Sequence, residues 1–485
     1  MPIEAGDAGA PRLVVRSVEL GVRPIVLRLP FRFGAVTLER CPQLFVRATV
    51  EVAGAGTAVG FAAETMVPRW FDKRPERSAA DNVRDLAATA ERAAAAYVGG
   101  PPATAVGLFV RHHAELAQAG LAAGETPLTT AFGQAVVDRA VLDAACAALG
   151  VSFFDFVRGN GPGFADSALW PDLGGHDWAA WLSGLAPERS LEARHTIGMA
   201  DALEGPHEPE SADDGLPATL VAAIRRYGHR RFKIKLGGDP AADAERVAAV
   251  LAVLDREAPG HRFTLDGNEQ LAGTEALAGL VDALAALPAI ARRPEALLWI
   301  EQPCPRDATF ARAVPPSPVP WLVDEADADF DSFPRAARLG WTGISSKSCK
   351  GIWKAIVNRA RVDRWNGDAE RDGLALRFVM SAEDLTCQAG LSVQQDSALA
   401  ALLGLGHAER NGHHYVGGFG DAPTDEAAAF QAAHPDLYAP SDHGPRLAIR
   451  DGRLALDSLF APGFAHRAAP DWRTMRPLAD ATTFL

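Results

Sequence analysis

The sequence predicts a (β/α)8 barrel joined to an α+β capping domain, and three observations lead to it. From about residue 192, eight short apolar runs alternate with helix-like stretches: ARHTIGM, RFKIKL, RFTLD, LLWIE, PWLVDE, GISSKS, RFVMSAE and GHAERN. Alternating strands and helices imply parallel pairing, and eight such strands imply a closed barrel. The spacing agrees. Lys235 and Glu383 are 148 residues apart across five strand-to-strand steps, about 30 per step, against roughly 31 for a barrel of ~250 residues. Finally, five consecutive runs end in an ionisable residue: Lys235, Asp266, Glu301, Asp324 and Lys347. The C-terminal strand ends form the active-site face of such a barrel, so all five belong in one mouth.

The remaining elements follow in order. Residues 12–65 read as strands, with the alternating, β-branched LFVRATVEV followed by a Gly-containing turn and AVGFAAE. Residues 80–155 read as helices. DNVRDLAATAERAAAAYV and AFGQAVVDRAVLDAACAAL carry apolar residues at i, i+3, i+4 and i+7. Residues 156–190, rich in Gly, Pro, Asp and Trp, read as an insertion or long loop, and HEPESADDG (207–215) as a solvated acidic loop. After 416 the tail, with LAIRDGRLAL, reads as strand–turn–strand returning to the N-terminal domain. The expected division is a capping domain over 1–155, a linker over 156–191, the barrel over 192–420 and a returning segment over 421–485.

Composition excludes several classes. A net charge of −13 and a pI near 5.5 favour neither nucleic acid nor an anionic membrane. Five scattered cysteines without a CxxC pair read as reduced thiols. The opening MPIEAGDAGAPR lacks a basic segment followed by an apolar core, and the weakly polar LAGLVDALAALPAIA is too short and interrupted to span a bilayer. The expectation is a soluble, cytoplasmic protein.

The basic residues are unevenly divided. Of 48 Lys and Arg, only six are lysine, and four of these form two pairs, Lys233/Lys235 and Lys347/Lys350. Arginine fills surface roles but does not lose a proton, whereas lysine can. Eight strands around a ring stand roughly 45° apart, so Lys235 on the second strand faces Lys347 on the sixth. Asp266, Glu301 and Asp324 line the arc between them. Three converging carboxylates repel one another unless a cation neutralises them, and an all-oxygen set favours a hard ion, Mg²⁺ first and Mn²⁺ second. Lys233, at i−2 from Lys235, points the same way, and a second ammonium there is expected to disfavour protonation of either lysine.

These motifs resemble the enolase superfamily, nearest to its muconate-lactonizing-enzyme subgroup. The matching pieces are KIK (233–235), DGN (266–268), EQP (301–303), DE (324–325) and KSCKG (347–351), with VVDRAVLDAACAALG (136–150) resembling the helix that links capping domain to barrel. The resemblance implies Lys235 and Lys347 as acid/base lysines, with Lys233 beside them. It implies Asp266, Glu301 and Asp324 as ligands of Mg²⁺, and an ene-diolate formed by removing the proton α to a substrate carboxylate. Asn268, Glu325, Lys350 and Glu383 fall in supporting positions. Arg32 and Trp70, with Phe31 and Phe33, lie where the family's capping loops meet the mouth, and Arg32 is the candidate for recognising an anion. The chain departs from the pattern in the 156–190 and 281–296 segments, in DEAD where a Ser usually follows DE, and in Gly351-Ile352 where Gly-Gly is usual.

Taken alone, KIK is an edge-strand pair and each carboxylate a helix cap; the series is what carries chemistry. Asp384 reads as a loop carboxylate. The adjacent His413 and His414 read as solvated or substrate-facing rather than as a second metal site, and YVGGFG (415–420) as a flexible turn, since no GKS/T follows. With a lysine on each face, the expected enzyme is a racemase or epimerase of an amino-acid derivative or related acid. Syn-elimination or cycloisomerisation at the same site is the alternative, and a catalytically silent barrel used as a binding module is the reading from another class. The expected partner is a small carboxylate substrate, and the expected assembly a homo-oligomer.

Overall fold

The computed structural model describes residues 9–205 and 214–485. The first eight residues and most of HEPESADDG, with the expectations placed on them, lie outside the described residues.

The capping domain begins with a three-stranded antiparallel meander: β1 (Leu13–Phe33), β2 (Val36–Val52) and β3 (Gly56–Thr65). Alternation along β2 sends Leu44, Val46, Ala48 and Val50 into the core. Three helices follow: α1 (Ala79–Tyr97), α2 (Ala105–Ala122) and α3 (Pro127–Leu149). Ser78 and Asp81 form a reciprocal capping box on α1. α3 starts with Thr126 as cap and Pro127 in its first turn, and stops at Gly150 with φ 67°. α3 is buried on nearly every side because it lies between the sheet, α1, α2 and the barrel. Gly60 permits that approach, since a Cβ there would sit 2.2 Å from the Ala140 carbonyl oxygen and the Ala144 nitrogen.

The link to the barrel includes α4 (Phe153–Arg158) and α5 (Trp178–Ser183). Residues 156–190 are a packed aromatic plug rather than a loose loop. Phe164 stacks on Trp178 at 4.9 Å, and Trp170 meets Phe330 at 5.5 Å. Trp170 and Trp178, read with the Gly, Pro and Asp content as part of a loop, are with Phe164 what buries it.

The barrel closes as the eight apolar runs predict. Its parallel strands are β4 (Ser190–Ile197), β5 (Arg231–Lys235), β6 (Arg262–Asp266), β7 (Leu297–Glu301), β8 (Trp321–Val323), β9 (Gly343–Ser346), β10 (Val379–Ala382) and β11 (His407–Glu409), and β11 pairs with β4. The outer layer comprises α6 (Leu220–Tyr227), α7 (Pro240–Glu257), α8 (Leu277–Ala285), α9 (Pro288–Arg292), α10 (Ser332–Arg338), α11 (Ile352–Arg371) and α12 (Leu391–Leu402). The 281–296 stretch lies partly in α8 and α9, so it forms the return limb of the third β/α unit. A short α13 (Gly412–Tyr415) and α14 (Thr424–Ala433) follow β11. β12 (Arg453–Ala455), within LAIRDGRLAL, pairs antiparallel with the start of β4, while Arg476–Pro477 further on pairs with β1 in the cap. Among the described residues, no helix is long and apolar enough to cross a membrane.

A buried ion pair of the cap is tied to the barrel through Ser348. Arg139 of α3 donates to Glu64 of β3 at 2.9 Å, and Ser348, one residue after Lys347, donates to the same Glu64 oxygen at 3.1 Å. Arg139 and Glu64 are both inaccessible to solvent. Arg139→Ala leaves Glu64 buried and uncompensated, and is expected to lower stability by about 3–5 kcal/mol. Urea denaturation of the variant checks this; a loss below 1 kcal/mol counts against it.

Candidate active site

The barrel register sets the first layer of the site. Lys235 pairs with Asp266 across β5 and β6, and Asp266 with Glu301 across β6 and β7. Asp324 follows β8 directly and Lys347 follows β9 directly. All five side chains are buried at the C-terminal end of the barrel. Lys235 Nζ donates to Asp266 Oδ2 at 2.6 Å, and Lys347 Nζ to Asp324 Oδ2 at 2.6 Å. Each predicted acid/base lysine therefore rests on a predicted metal ligand, one on either side of the mouth.

The loops that carry the ligands are tightly shaped. Asn268, Glu269 and Gln302 hold positive φ values of 40°, 71° and 28° just after Asp266 and Glu301, a conformation that costs energy in non-glycine residues and collects at functional sites. Gly267 is required because a Cβ there would stand 2.5 Å from Pro303 Cα. The Asn268 amide donates to Asp266 Oδ1 at 2.9 Å. The Gln302 carboxamide oxygen accepts from the amides of Asp324 and Ala326, at 3.0 and 3.2 Å, so EQP braces the DEAD loop.

Beneath this layer the lumen is charged. Lys233 is fully buried and lies 2.8 Å from carboxylate oxygens of both Asp266 and Glu301, 2.7 Å from Glu383 and 3.1 Å from Glu409. Burial alone would lower its pKa, but the four carboxylates outweigh burial and hold it well above the ordinary value. The direction is opposite to the one expected from Lys235 alone, which would disfavour protonation of Lys233. The carboxylates that face it across the barrel make Lys233 a counter-ion of the lumen. Burial also acts on Lys347, and Asp324 overrides it to raise the pKa. Glu301 is raised by burial and by Asp266 and Glu383, whereas Asp266 and Glu409 are lowered despite burial because lysines adjoin them.

The supporting positions divide clearly. Lys350 donates to Ser345 Oγ at 2.6 Å and to the Asp324 carbonyl at 3.2 Å, and lies 3.2 Å from Asp327, so it fixes the Asp324 loop. Asp327, the last acid of DEAD, also pairs with Lys354 at 3.2 Å. Glu383 bridges Lys233 and Arg194. Asn268 donates to Glu325 at 3.2 Å, and Lys73 of the cap donates to Glu325 at 3.0 Å and lies 2.7 Å from Glu269. All six lysines of the chain thus sit at or beside the mouth, in ion pairs with its carboxylates. Sequence reasoning missed Lys73, Lys354, Arg194 and Glu409. The scarcity of lysine was a signal for the first two, and the strand runs that contain Arg194 and Glu409 were a signal for the others.

The cap roofs the site with two aromatic rings. Trp70 lies 4.3 Å from Lys347 Nζ and Phe31 lies 5.8 Å from Lys235 Nζ, both within cation–π range. Arg32 does not join them. It is exposed, between buried Phe31 and Phe33, on the opposite face of β1, so strand alternation puts the ring rather than the guanidinium over the mouth. Asp384 is buried, accepting from the amides of Cys387 and Asn411 at 2.8 and 2.6 Å. His413 and His414 are buried too, which overturns their reading as solvated residues.

The residues fit a hard divalent ion. Asp266, Glu301 and Asp324 form an all-oxygen set on consecutive strands, and Glu301 Oε2 makes no hydrogen bond, its neighbour being the Lys233 ammonium.

Fold and site together define a capped (β/α)8 barrel with a carboxylate-rich mouth between two lysines. Residues 216–357 match the family described as Enolase C-terminal domain-like, and the barrel is of that type, so the enolase-superfamily resemblance read from the motifs is borne out. No curated protein matches the chain. Among solved structures, an enolase from Streptomyces coelicolor is 18% identical over 97% of both chains, with a TM-score of 0.59. A muconate lactonizing enzyme from Mycobacterium smegmatis, complexed with muconolactone, is 18% identical over 94% of this chain and 98% of its own, with a TM-score of 0.57. An enolase from Bradyrhizobium, complexed with magnesium and mandelic acid, is 15% identical over 95% and 96%, with a TM-score of 0.55. At these identities the likeness is one of fold.

Proposed function

We propose that this protein is a Mg²⁺-dependent enzyme that removes the proton α to a substrate carboxylate, and that racemisation or epimerisation is its reaction. The observation that carries the reading is the placement of Lys235 and Lys347. They belong to strands four apart in an eight-stranded ring, and both are buried under the cap against the same arc of carboxylates. A substrate held in that space meets one lysine on each face, so one side chain takes the α-proton and the other returns a proton to the opposite face. When bound at Asp266, Glu301 and Asp324, Mg²⁺ supplies positive charge that neutralises these carboxylates in place of the lysines and stabilises negative charge developing on the substrate. Phe31 and Trp70 close the space and exclude water, which strengthens every electrostatic contact inside. The bound magnesium of the Bradyrhizobium enolase supports the choice of metal.

Deuterium uptake from D2O, over a panel of amino-acid derivatives, dipeptides and hydroxy acids, tests the reading because it detects proton removal even without net product. Exchange is expected with Mg²⁺, is expected to stop in excess EDTA and to return when Mg²⁺ is restored. Glu301→Gln is expected to weaken Mg²⁺ binding in a calorimetric titration. Full exchange by protein shown to be metal-free overturns the assignment.

A further inference from the structure

Outside the mouth, three histidines meet in the wall of the barrel. His195 lies on β4, His229 just before β5 and His413 on α13. Their ligand nitrogens all lie within 4.8 Å of one another. His413 Nε2 is 3.2 Å from His229 Nε2 and 3.4 Å from His195 Nδ1. The ring centroids form a nearly equilateral triangle with sides of 4.9, 5.1 and 5.4 Å. This cluster is separate from the lumen. Arg194 and Thr196, the neighbours of His195, point inward to Glu383 and Glu409, so His195 points outward through the other face of β4.

Hydrogen bonding alone accounts poorly for the arrangement. His229 Nδ1 is bonded to the Ala193 carbonyl at 3.2 Å, which can only accept, so the proton is on Nδ1 and Nε2 presents a lone pair to His413. His413 Nε2 can give one proton to one neighbour, which leaves the other contact without a hydrogen. A cation satisfies all three nitrogens at once. The tetrahedral edge for a zinc–nitrogen bond of 2.0–2.1 Å is about 3.3 Å, which is the spacing of both His413 contacts. The carbonyl bond of His229 is the outer hydrogen bond typical of a metal-ligating imidazole.

We propose that His195, His229 and His413 form a second, structural metal site for a borderline transition ion, Zn²⁺ foremost. Neutral imidazoles select zinc over magnesium. Burial, the largest influence on each, keeps all three in the neutral form that ligates, with His229 lowered to about 4. Arg28 is the nearby cation, and Asp214 pairs with it. His413 also borders a small cavity lined by Val416, Gly418 and Arg446. The bound ion would tie the first strand, the segment entering the second and the helix after the eighth, and so would staple the seam where β11 closes onto β4.

The test is independent of the proposed reaction. Chelator-stripped full-length protein is titrated with Zn²⁺ under excess Mg²⁺, and bound zinc and Tm are measured. Wild type and Glu301→Gln are expected to retain about one zinc per chain, with a zinc-dependent rise in Tm. His229→Gln and His413→Gln are expected to lose at least about tenfold in zinc affinity. Co²⁺ added to Glu301→Gln is expected to give the intense visible bands of a four-coordinate ion. Undiminished zinc binding in a folded histidine variant overturns the proposal, as does loss of zinc in Glu301→Gln with retention in His229→Gln. Should neither histidine variant fold, the Glu301→Gln titration decides, because no rise in Tm and only weak six-coordinate cobalt bands overturn it equally.

Discussion

Lys235→Ala is expected to abolish α-proton exchange from one stereoisomer of the substrate, and Lys347→Ala from the other. Each lysine reaches the mouth from its own side, with Nζ on Asp266 in one case and on Asp324 in the other. Each can therefore serve one face only. Net racemisation is expected to vanish in both variants, because either direction needs one lysine as base and the other as acid. Losing a general base costs ~10²–10⁴-fold in rate. The metal ligands remain, so Mg²⁺ binding measured by calorimetry is expected to survive in both. Arg at either position is not expected to rescue, since a guanidinium cannot supply a free base near neutral pH. The variants also separate the reaction types. If Lys347→Ala keeps exchange from the reactive isomer but forms no product, that lysine acts as the acid of an elimination or cycloisomerisation. If both variants exchange both isomers at nearly wild-type rates, the two-base reading is wrong.

Much of this arrangement was legible in the sequence, and for a physical reason. A strand buried on both faces must be an apolar run, so a charge at its end is conspicuous, and the five ends from Lys235 to Lys347 stand out against such runs. The eight strands could be counted because each run is short and bounded by helical periodicity. β11 was found as a strand, but its role was not. In HAE a single apolar residue lies between two polar ones, so nothing marked Glu409 as inward-facing. Arg194 was hidden in the same way inside ARHTIGM. The parity of β1 near the mouth was also unreadable, because the register slips between Val26 and Phe31, and one residue of slip exchanges Phe31 for Arg32 over the site. The direction of the Lys233 shift was not readable because sequence shows only the lysine two positions away. The four carboxylates that set its charge come from β6, β7, β11 and the residue after β10, and only the closed barrel brings them together. The histidines illustrate the same limit, since His195, His229 and His413 span more than two hundred residues of chain and meet only at the seam.

Lys233→Met separates a counter-ion from a catalyst. The substitution keeps much of the side-chain length and removes the charge, leaving Asp266, Glu301, Glu383 and Glu409 buried around an apolar group. Arg194 remains on Glu383, while the others lose a fixed partner that is inaccessible to solvent. Breaking a buried pair by removing one member costs about 3–5 kcal/mol, and with four carboxylates affected the loss should reach at least the upper end of that range. Denaturant unfolding in EDTA, so that no divalent ion replaces the ammonium, is the measurement. The pH dependence carries a definite sign. In the wild type Asp266 and Glu409 titrate below their ordinary range, so the stability they contribute is present above the unfolded carboxylate pKa near 4 and is lost as pH falls through the folded values. Without Lys233 these carboxylates protonate more readily, and the variant has less of this stability to lose. The gap between wild type and variant is therefore expected to be widest near pH 7 and to narrow as pH falls below about 4. If Lys233→Met is as stable as wild type in EDTA at pH 7 and loses only turnover, Lys233 is a catalytic group and the counter-ion assignment is wrong.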